Sequence, residues 1–150
     1  MKLKNIQGRA GMTLLSMVLS LFIVGVIFTV TMIQSQKASQ NLAVETCLQE
    51  ILQSYEACQK EAIIKGEYYY LYFLSDQVRI MQAKEGQDPY IKDIILLPKG
   101  TRIQSYQKVS IQPGTGYIQP RTVTLRYPQG RYMVKFQLGV GKYVVEKRKE

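Results

Sequence analysis

Residues 12–32 read MTLLSMVLSLFIVGVIFTVTM, a run of 21 residues without a charged side chain. The uncharged region extends further on both sides, from Ala10 to Gln36. About 20 apolar residues in an α-helix span the ~30 Å hydrocarbon core of a membrane. The run therefore predicts a membrane-spanning helix.

The flanks of this run bear on whether the helix is kept. A cleaved secretory signal is the alternative, with an apolar region of about 7 to 15 residues and a small-residue cleavage site. The run here is longer, and the nearest candidate site, Lys37-Ala38-Ser39, begins with a charge. Lys2, Lys4 and Arg9 precede the run without an acid, and such a flank stays in the cytoplasm. We expect a retained helix whose C-terminal side lies outside the cytoplasm.

Composition excludes several kinds of chemistry. The 150 residues allow one domain with a modest core, and the chain contains no His. Catalysis by Ser-His or Cys-His pairs is therefore excluded. Two Cys without His do not provide the four nitrogen or sulfur ligands of a usual zinc site. We expect neither a metal nor a cofactor.

Helical periodicity continues beyond the apolar run. Apolar residues recur at alternating steps of four and three, which places them on one face of a helix. They are Val44, Leu48, Ile51, Tyr55, Cys58 and Ala62. We expect the helix to end at Lys65, because a cation suits the last turn and Gly66 suits a left-handed cap.

After Gly66 the pattern changes to the period of two that is typical of strands. In the last strands, alternate residues are apolar, so one side of a sheet can pack on the helix while the other meets solvent. The predicted strands are 68–74, 77–82, 108–112, 122–127, 131–137 and 142–147, with 91–97 ambiguous between strand and helical turn. The predicted fold class is α+β, a long N-terminal helix packed on a C-terminal antiparallel sheet.

The junction before the apolar run also has a recognisable form. The segment Gly11-Met12-Thr13-Leu14-Leu15-Ser16-Met17-Val18-Leu19 resembles the cleavage region of type IV prepilins and pseudopilins. In that family a membrane peptidase cuts after the glycine on the cytoplasmic side. The resemblance implies a pilin-like fold, cleavage between Gly11 and Met12, and methylation of the Met12 amine. It divides the chain into a leader (1–11), a transmembrane and filament-core helix (12–33), an amphipathic continuation (34–65) and an extracytoplasmic β domain (66–150).

One position departs from this family. Most members have a glutamate at the fifth mature position, where this chain has Ser16. In the family, this glutamate neutralises the N-terminal ammonium of a neighbouring subunit, because an unpaired charge in a membrane core is costly. A hydroxyl accepts a hydrogen bond without neutralising that charge. The departure bears on the place of the subunit in a filament more than on its processing.

Two further segments narrow the resemblance. Residues 58–65, followed at once by an aromatic strand, are similar to GspH/FimT-type pseudopilins. Residues 136–148 resemble the end of the ComGD-type minor pilins of Gram-positive competence pili. The resemblance implies a non-enzymatic subunit of a transformation pilus that is required for DNA binding and uptake. Its implied partners are other pilin-like subunits, the prepilin peptidase and the membrane, with no small-molecule substrate.

Positive charge is concentrated in the last third of the chain. Residues 99–150 carry 11 Lys and Arg against two Glu, whereas residues 12–98 carry six cations against nine acids. A basic sheet face attracts a phosphate backbone without reading bases, so non-specific contact with double-stranded DNA is one expectation. A solvated surface, an acidic neighbouring subunit or an anionic wall polymer is the alternative. The candidate residues are Arg126, Arg131, Lys135 and Lys142, expected on one sheet face, and Lys147, Arg148 and Lys149, expected in a tail.

The two cysteines are separated by eleven residues. On a continuous helix Cys47 and Cys58 lie about 16 Å apart along the axis, and a disulfide needs Cα atoms within roughly 7 Å. They therefore cannot bridge each other without breaking the helix. Outside the cytoplasm they are candidates for intersubunit disulfides, and burial as small side chains is the alternative.

Other function classes stay open. One is a minor, H-like pseudopilin of a type II protein-secretion system, which would have the same membrane helix and sheet domain but would serve protein secretion instead of DNA uptake. A single-pass anchored enzyme is the third class, although no paired carboxylates or activated nucleophile stand out in the sequence. The basic C-terminal third favours DNA uptake.

Overall fold

The structure is a computed structural model that describes residues 6–137, 139–140 and 142–149, and side-chain exposure for 14–137 and 142–149. Residues 1–5 of the predicted leader and positions 138, 141 and 150 of the predicted β domain lie outside these ranges. The chain divides into two compact units, Met1–Gln40 and Asn41–Glu150. Helix α1, Ile6–Lys65, contributes to both units.

The first unit contains the predicted membrane-spanning segment, which is helical. Every side chain described between Leu14 and Gln40 is exposed, including Leu14 at 68% and Phe28 at 75%. By length and composition this helix is able to cross a membrane. A continuous apolar surface of this size on a helix is typical of segments that lipid or a partner covers.

In the second unit the predicted apolar stripe of α1 is buried. All six stripe residues, from Val44 to Ala62, are at most 7% exposed. The helix ends at Lys65 as expected. Gly66 follows with φ of +65°, and its amide donates a 3.1 Å hydrogen bond to the Ala62 carbonyl.

Ten strands follow the helix and form two antiparallel sheets rather than the single sheet that the sequence predicted. They are β1 Tyr68–Phe73, β2 Gln77–Ala83, β3 Tyr90–Leu96, β4 Arg102–Ile103, β5 Gln107–Ile111, β6 Tyr117–Ile118, β7 Arg121–Tyr127, β8 Gly130–Phe136, β9 Gly139–Val140 and β10 Tyr143–Lys149. One sheet has the order β3-β2-β1-β5-β6-β9 and the other β10-β8-β7-β4.

Several strand boundaries differ from the sequence predictions. The ambiguous segment 91–97 is the strand β3, and β10 continues to Lys149 instead of ending at 147. Three two-residue strands, β4, β6 and β9, were not predicted. Such short strands are defined by the partner they pair with, because two residues carry no periodicity of their own.

Helix and sheets share one apolar core, which gives the molecule its α+β layout. The stripe of α1 packs with the inward side chains of both sheets in a single buried cluster. Phe136 of β8 lies 4.9 Å from the Tyr55 ring of α1 and 6.0 Å from the Phe73 ring of β1, between ring centroids. The same packing directs alternate side chains of β7, β8 and β10 away from the core.

Candidate functional site

Three hydroxyl groups of the exposed apolar helix donate hydrogen bonds within the helix. Ser20 donates to the Ser16 carbonyl at 2.8 Å, and Thr29 and Thr31 make equivalent 2.8 Å bonds to the carbonyls four residues earlier. A polar group left without a partner in hydrocarbon costs several kcal/mol, so these bonds lower the cost of placing the segment in lipid. The polar cost of inserting Ser20, Thr29 and Thr31 into lipid is thus reduced.

The predicted processing site lies within the same helix. Gly11 and Met12 belong to α1, but their exposure lies outside what the structure describes. Ser16 is exposed, and its carbonyl accepts the Ser20 hydroxyl. Cleavage after Gly11, methylation of Met12 and the consequence of Ser16 stay predictions.

The predicted basic face is the outward face of the four-stranded sheet. Arg126 of β7 is directly opposite Arg131 of β8, and Arg131 is directly opposite Arg148 of β10. Lys135 occupies the same face, because it alternates with the buried Val134 and Phe136. The structure thus brings together four of the seven predicted cations.

The other three are placed differently from the prediction. Lys142 is exposed and precedes β10, while Lys147 and Lys149 belong to β10 instead of a tail, as Arg148 does. Alternation along β10 turns Lys147 and Lys149 toward the helix side. Tyr143 and Val145 are alternate apolar residues, and continuing their spacing places Lys147 and Lys149 on the same side of the strand.

Lys147 is held by a carboxylate of the helix. Its Nζ donates to Glu45 Oε1 at 2.6 Å, and Tyr132 Oη donates to the same oxygen at 2.8 Å. Hydrogen bonds from Lys147 and Tyr132 lower the pKa of Glu45, and the bond to Glu45 raises the pKa of Lys147. This cluster ties β8 and β10 to α1, so Lys147 has a structural partner within the chain.

One carboxylate also stands on the outward face. Glu146 accepts a hydrogen bond from Lys135 and lies 3.8 Å from Arg148 Nη2. The bond from Lys135 lowers the pKa of Glu146, which keeps the carboxylate ionised. The charge of Lys135 is therefore largely balanced within the sheet.

Arg102 is a cation of this face that the sequence analysis missed. It lies in β4, is exposed, and pairs in register with Arg126. The following residue, Ile103, is 5% exposed, so the two residues point to opposite sides. The only sequence signal near Arg102 was the turn Pro98-Lys99-Gly100. This turn marks the end of the preceding strand but does not indicate that the residues after it pair with β7.

Both cysteines are buried on the face of α1 that packs on the sheets. Cys47 is 6% and Cys58 3% exposed. Burial raises the pKa of Cys47, and it raises the pKa of the Cys58 thiol to about 11. Both thiols are therefore protonated and poorly nucleophilic near neutral pH. An intersubunit disulfide stays a prediction that requires a thiol to leave the core.

Comparison with family models, curated proteins and solved structures finds no match for the chain. Among the residues that the structure describes, no group of three or more His, Cys, Asp or Glu side chains is arranged to hold a metal ion. The exposed apolar helix and the basic sheet face are the two features that bear on function.

Proposed function

We propose that this protein is a minor pilin-like structural subunit of a competence pilus, similar to the ComGD type. A prepilin peptidase removes the leader after Gly11, and the new Met12 amine is methylated. Residues 12–33 hold the subunit in the cell membrane of a Gram-positive bacterium, with residues 66–150 outside the cytoplasm. The subunit then enters a surface pilus beside other pilin-like subunits.

The observation that carries this proposal is the change of character along α1. The helix exposes every described side chain from Leu14 to Gln40 and then buries the stripe from Val44 to Ala62 in the core. An exposed apolar helix requires a cover, which lipid can supply before assembly and neighbouring helices after it. A helix that first anchors the subunit in the membrane and then enters the filament core is covered at both stages.

The charge distribution supports DNA rather than protein as the cargo. Residues 99–150 carry nine more cations than acids, and four of the five described arginines of this region, Arg102, Arg126, Arg131 and Arg148, share one sheet face. Counterion release from a phosphate backbone drives binding to such a face. The basic face therefore favours a competence pilus over the pseudopilin of a secretion system.

Mass spectrometry of the membrane-extracted protein tests the processing step. The expected N-terminus is a methylated Met12, and Gly11→Val should leave an intact Met1 because the peptidase reads the glycine. Gly8→Val, the other glycine of the leader, serves as the matched control and should be processed normally. An intact Met1 in the unmodified protein, or a soluble product lacking residues 12–33, would refute the proposal.

A further inference from the structure

We propose that four arginines aligned across the four-stranded sheet form a binding site for the phosphate backbone of double-stranded DNA. We call Arg102, Arg126, Arg131 and Arg148 the arginine row. The inference names the surface that contacts DNA in the proposed function. It rests on that function only for the role of this contact in DNA uptake. The binding itself belongs to the isolated chain and is testable there.

Strand register creates the row. Arg148 is opposite Arg131, Arg131 is opposite Arg126, and Arg126 is opposite Arg102. One arginine from every strand therefore occupies the same line across the sheet. Neighbouring strands lie about 4.8 Å apart, so four strands give a row roughly 14 Å long.

The row places like charges side by side across the sheet. Like charges directly opposite each other on adjacent strands are destabilising. Among the described residues, Glu146 lies 3.8 Å from Arg148 and also accepts a hydrogen bond from Lys135. The described residues offer the buried Arg131 Nε no hydrogen-bond acceptor. Bound phosphates would reduce the repulsion and add acceptors.

The form of the row suits an extended polyanion. One strand of DNA carries a phosphate every 3.4 Å along the axis, so about 14 Å corresponds to about four phosphates. Each guanidinium has a planar fork of donors that matches phosphate oxygens. The other outward residues of β7 and β8 are Thr122, Thr124, Met133 and Lys135, none of them acidic. Contacts of this kind position DNA without reading its sequence.

Binding measurements on the full chain in detergent micelles test the site. The anisotropy of a fluorescent 25-base-pair duplex is followed between about 50 and 200 mM salt. The test variant carries Arg102→Gln, Arg131→Gln and Arg148→Gln. The matched control carries Lys60→Gln, Lys84→Gln and Lys108→Gln, which removes the same charge from other parts of the second unit.

The row variant should bind roughly tenfold or more weakly at low salt, and its slope of log affinity against log salt should fall by about 2 to 3. The control should keep most of its affinity and its slope. Changing the same three arginines to Lys should also keep the slope, because the charges remain. Far-ultraviolet circular dichroism shows whether each variant is folded.

Three results would overturn the inference. They are equal weakening in both triple variants, absence of DNA binding by the unmodified protein, and preference for poly(glycerol phosphate) over the duplex at equal phosphate. The last result would assign the row to a wall polymer. Each leaves the N-terminus of the membrane-extracted protein unaffected, so failure of this inference is distinguishable from failure of the pilin proposal.

Discussion

Gln59 of α1 donates a buried 3.0 Å hydrogen bond from its side-chain amide to the carbonyl of Gly116. The loop before β6 is also fixed by a 2.9 Å bond from the Gly114 amide to the Ala62 carbonyl. Two polar contacts thus dock this loop on the last turns of the helix. Gly116 has φ of +63°, and an added Cβ would lie 3.0 Å from Ile63 Cδ1.

We expect Gly116→Ala to destabilise the protein more than Gly114→Ala. Both glycines have positive φ, but a Cβ at Gly114 meets nothing within 4 Å. Backbone strain should cost each variant about 1–2 kcal/mol, and overpacking should add roughly 1–3 kcal/mol at Gly116. Urea unfolding followed by circular dichroism measures the difference, and equal losses would contradict the proposed crowding.

The pH dependence of stability should include a contribution from Glu61. Hydrogen bonds from Lys65, Lys92 and Tyr69 lower the pKa of Glu61 from 4.5 to about 2. A carboxyl whose pKa is lower in the folded state stabilises it fully above pH 4.5, and this contribution is lost as the pH falls toward 2. Glu61→Gln should therefore flatten the decline in unfolding free energy over this range.

Glu85→Gln is the control for this measurement, because Glu85 lies in an exposed turn between β2 and β3. This variant should keep the pH dependence of the unmodified protein. If Glu61→Gln loses unfolding free energy at low pH as steeply as the unmodified protein does, the hydrogen bonds from Lys65, Lys92 and Tyr69 to Glu61 do not persist in solution.

The cysteines should be nearly inert in the folded protein. With the pKa of Cys58 at about 11 and both side chains buried, iodoacetamide at pH 8 should alkylate them far more slowly than in urea. A cysteine placed at the exposed Lys60, in a chain with both native cysteines changed to Ala, supplies the reference rate. Native thiols that react as quickly as this reference, or a dimer on non-reducing electrophoresis of membranes, would favour the intersubunit disulfide.

A charge in the apolar helix should weaken retention in the membrane. Arg at the centre of a membrane helix costs about 2.5–3.5 kcal/mol in insertion. Ile23→Arg should therefore shift protein from the alkaline-carbonate pellet to the supernatant. Leu42→Arg, at a position equally apolar but beyond the span, should leave the distribution unchanged. Equal behaviour of the two variants would argue against a membrane anchor at 12–33.

The helical part of the fold was predictable because its signal is local. The steps of four and three from Val44 to Ala62 fix one face, and this face is buried. The end at Lys65 followed from a cation and a glycine in adjacent positions. Both rely on interactions within a few residues, which the sequence contains directly.

The basic site was predictable only in part. Alternation placed Arg126, Arg131 and Lys135 on the outward face as expected. Arg102 joins them through the pairing of a two-residue strand, which is a long-range contact without a sequence pattern. Likewise, the partner of Lys147 is Glu45, 102 residues away along the chain.

The rims of the two sheets have a consequence for self-association. Of the four edge strands, β10 ends with the basic residues 147–149, whereas β3 exposes Lys92 and Asp93 together with Tyr90, Ile91, Ile94 and Leu96. Charged rims disfavour the addition of a foreign strand. In the proposed pilus, backbone pairing between copies would thus be disfavoured at β10, and contacts between copies would depend on the apolar helix.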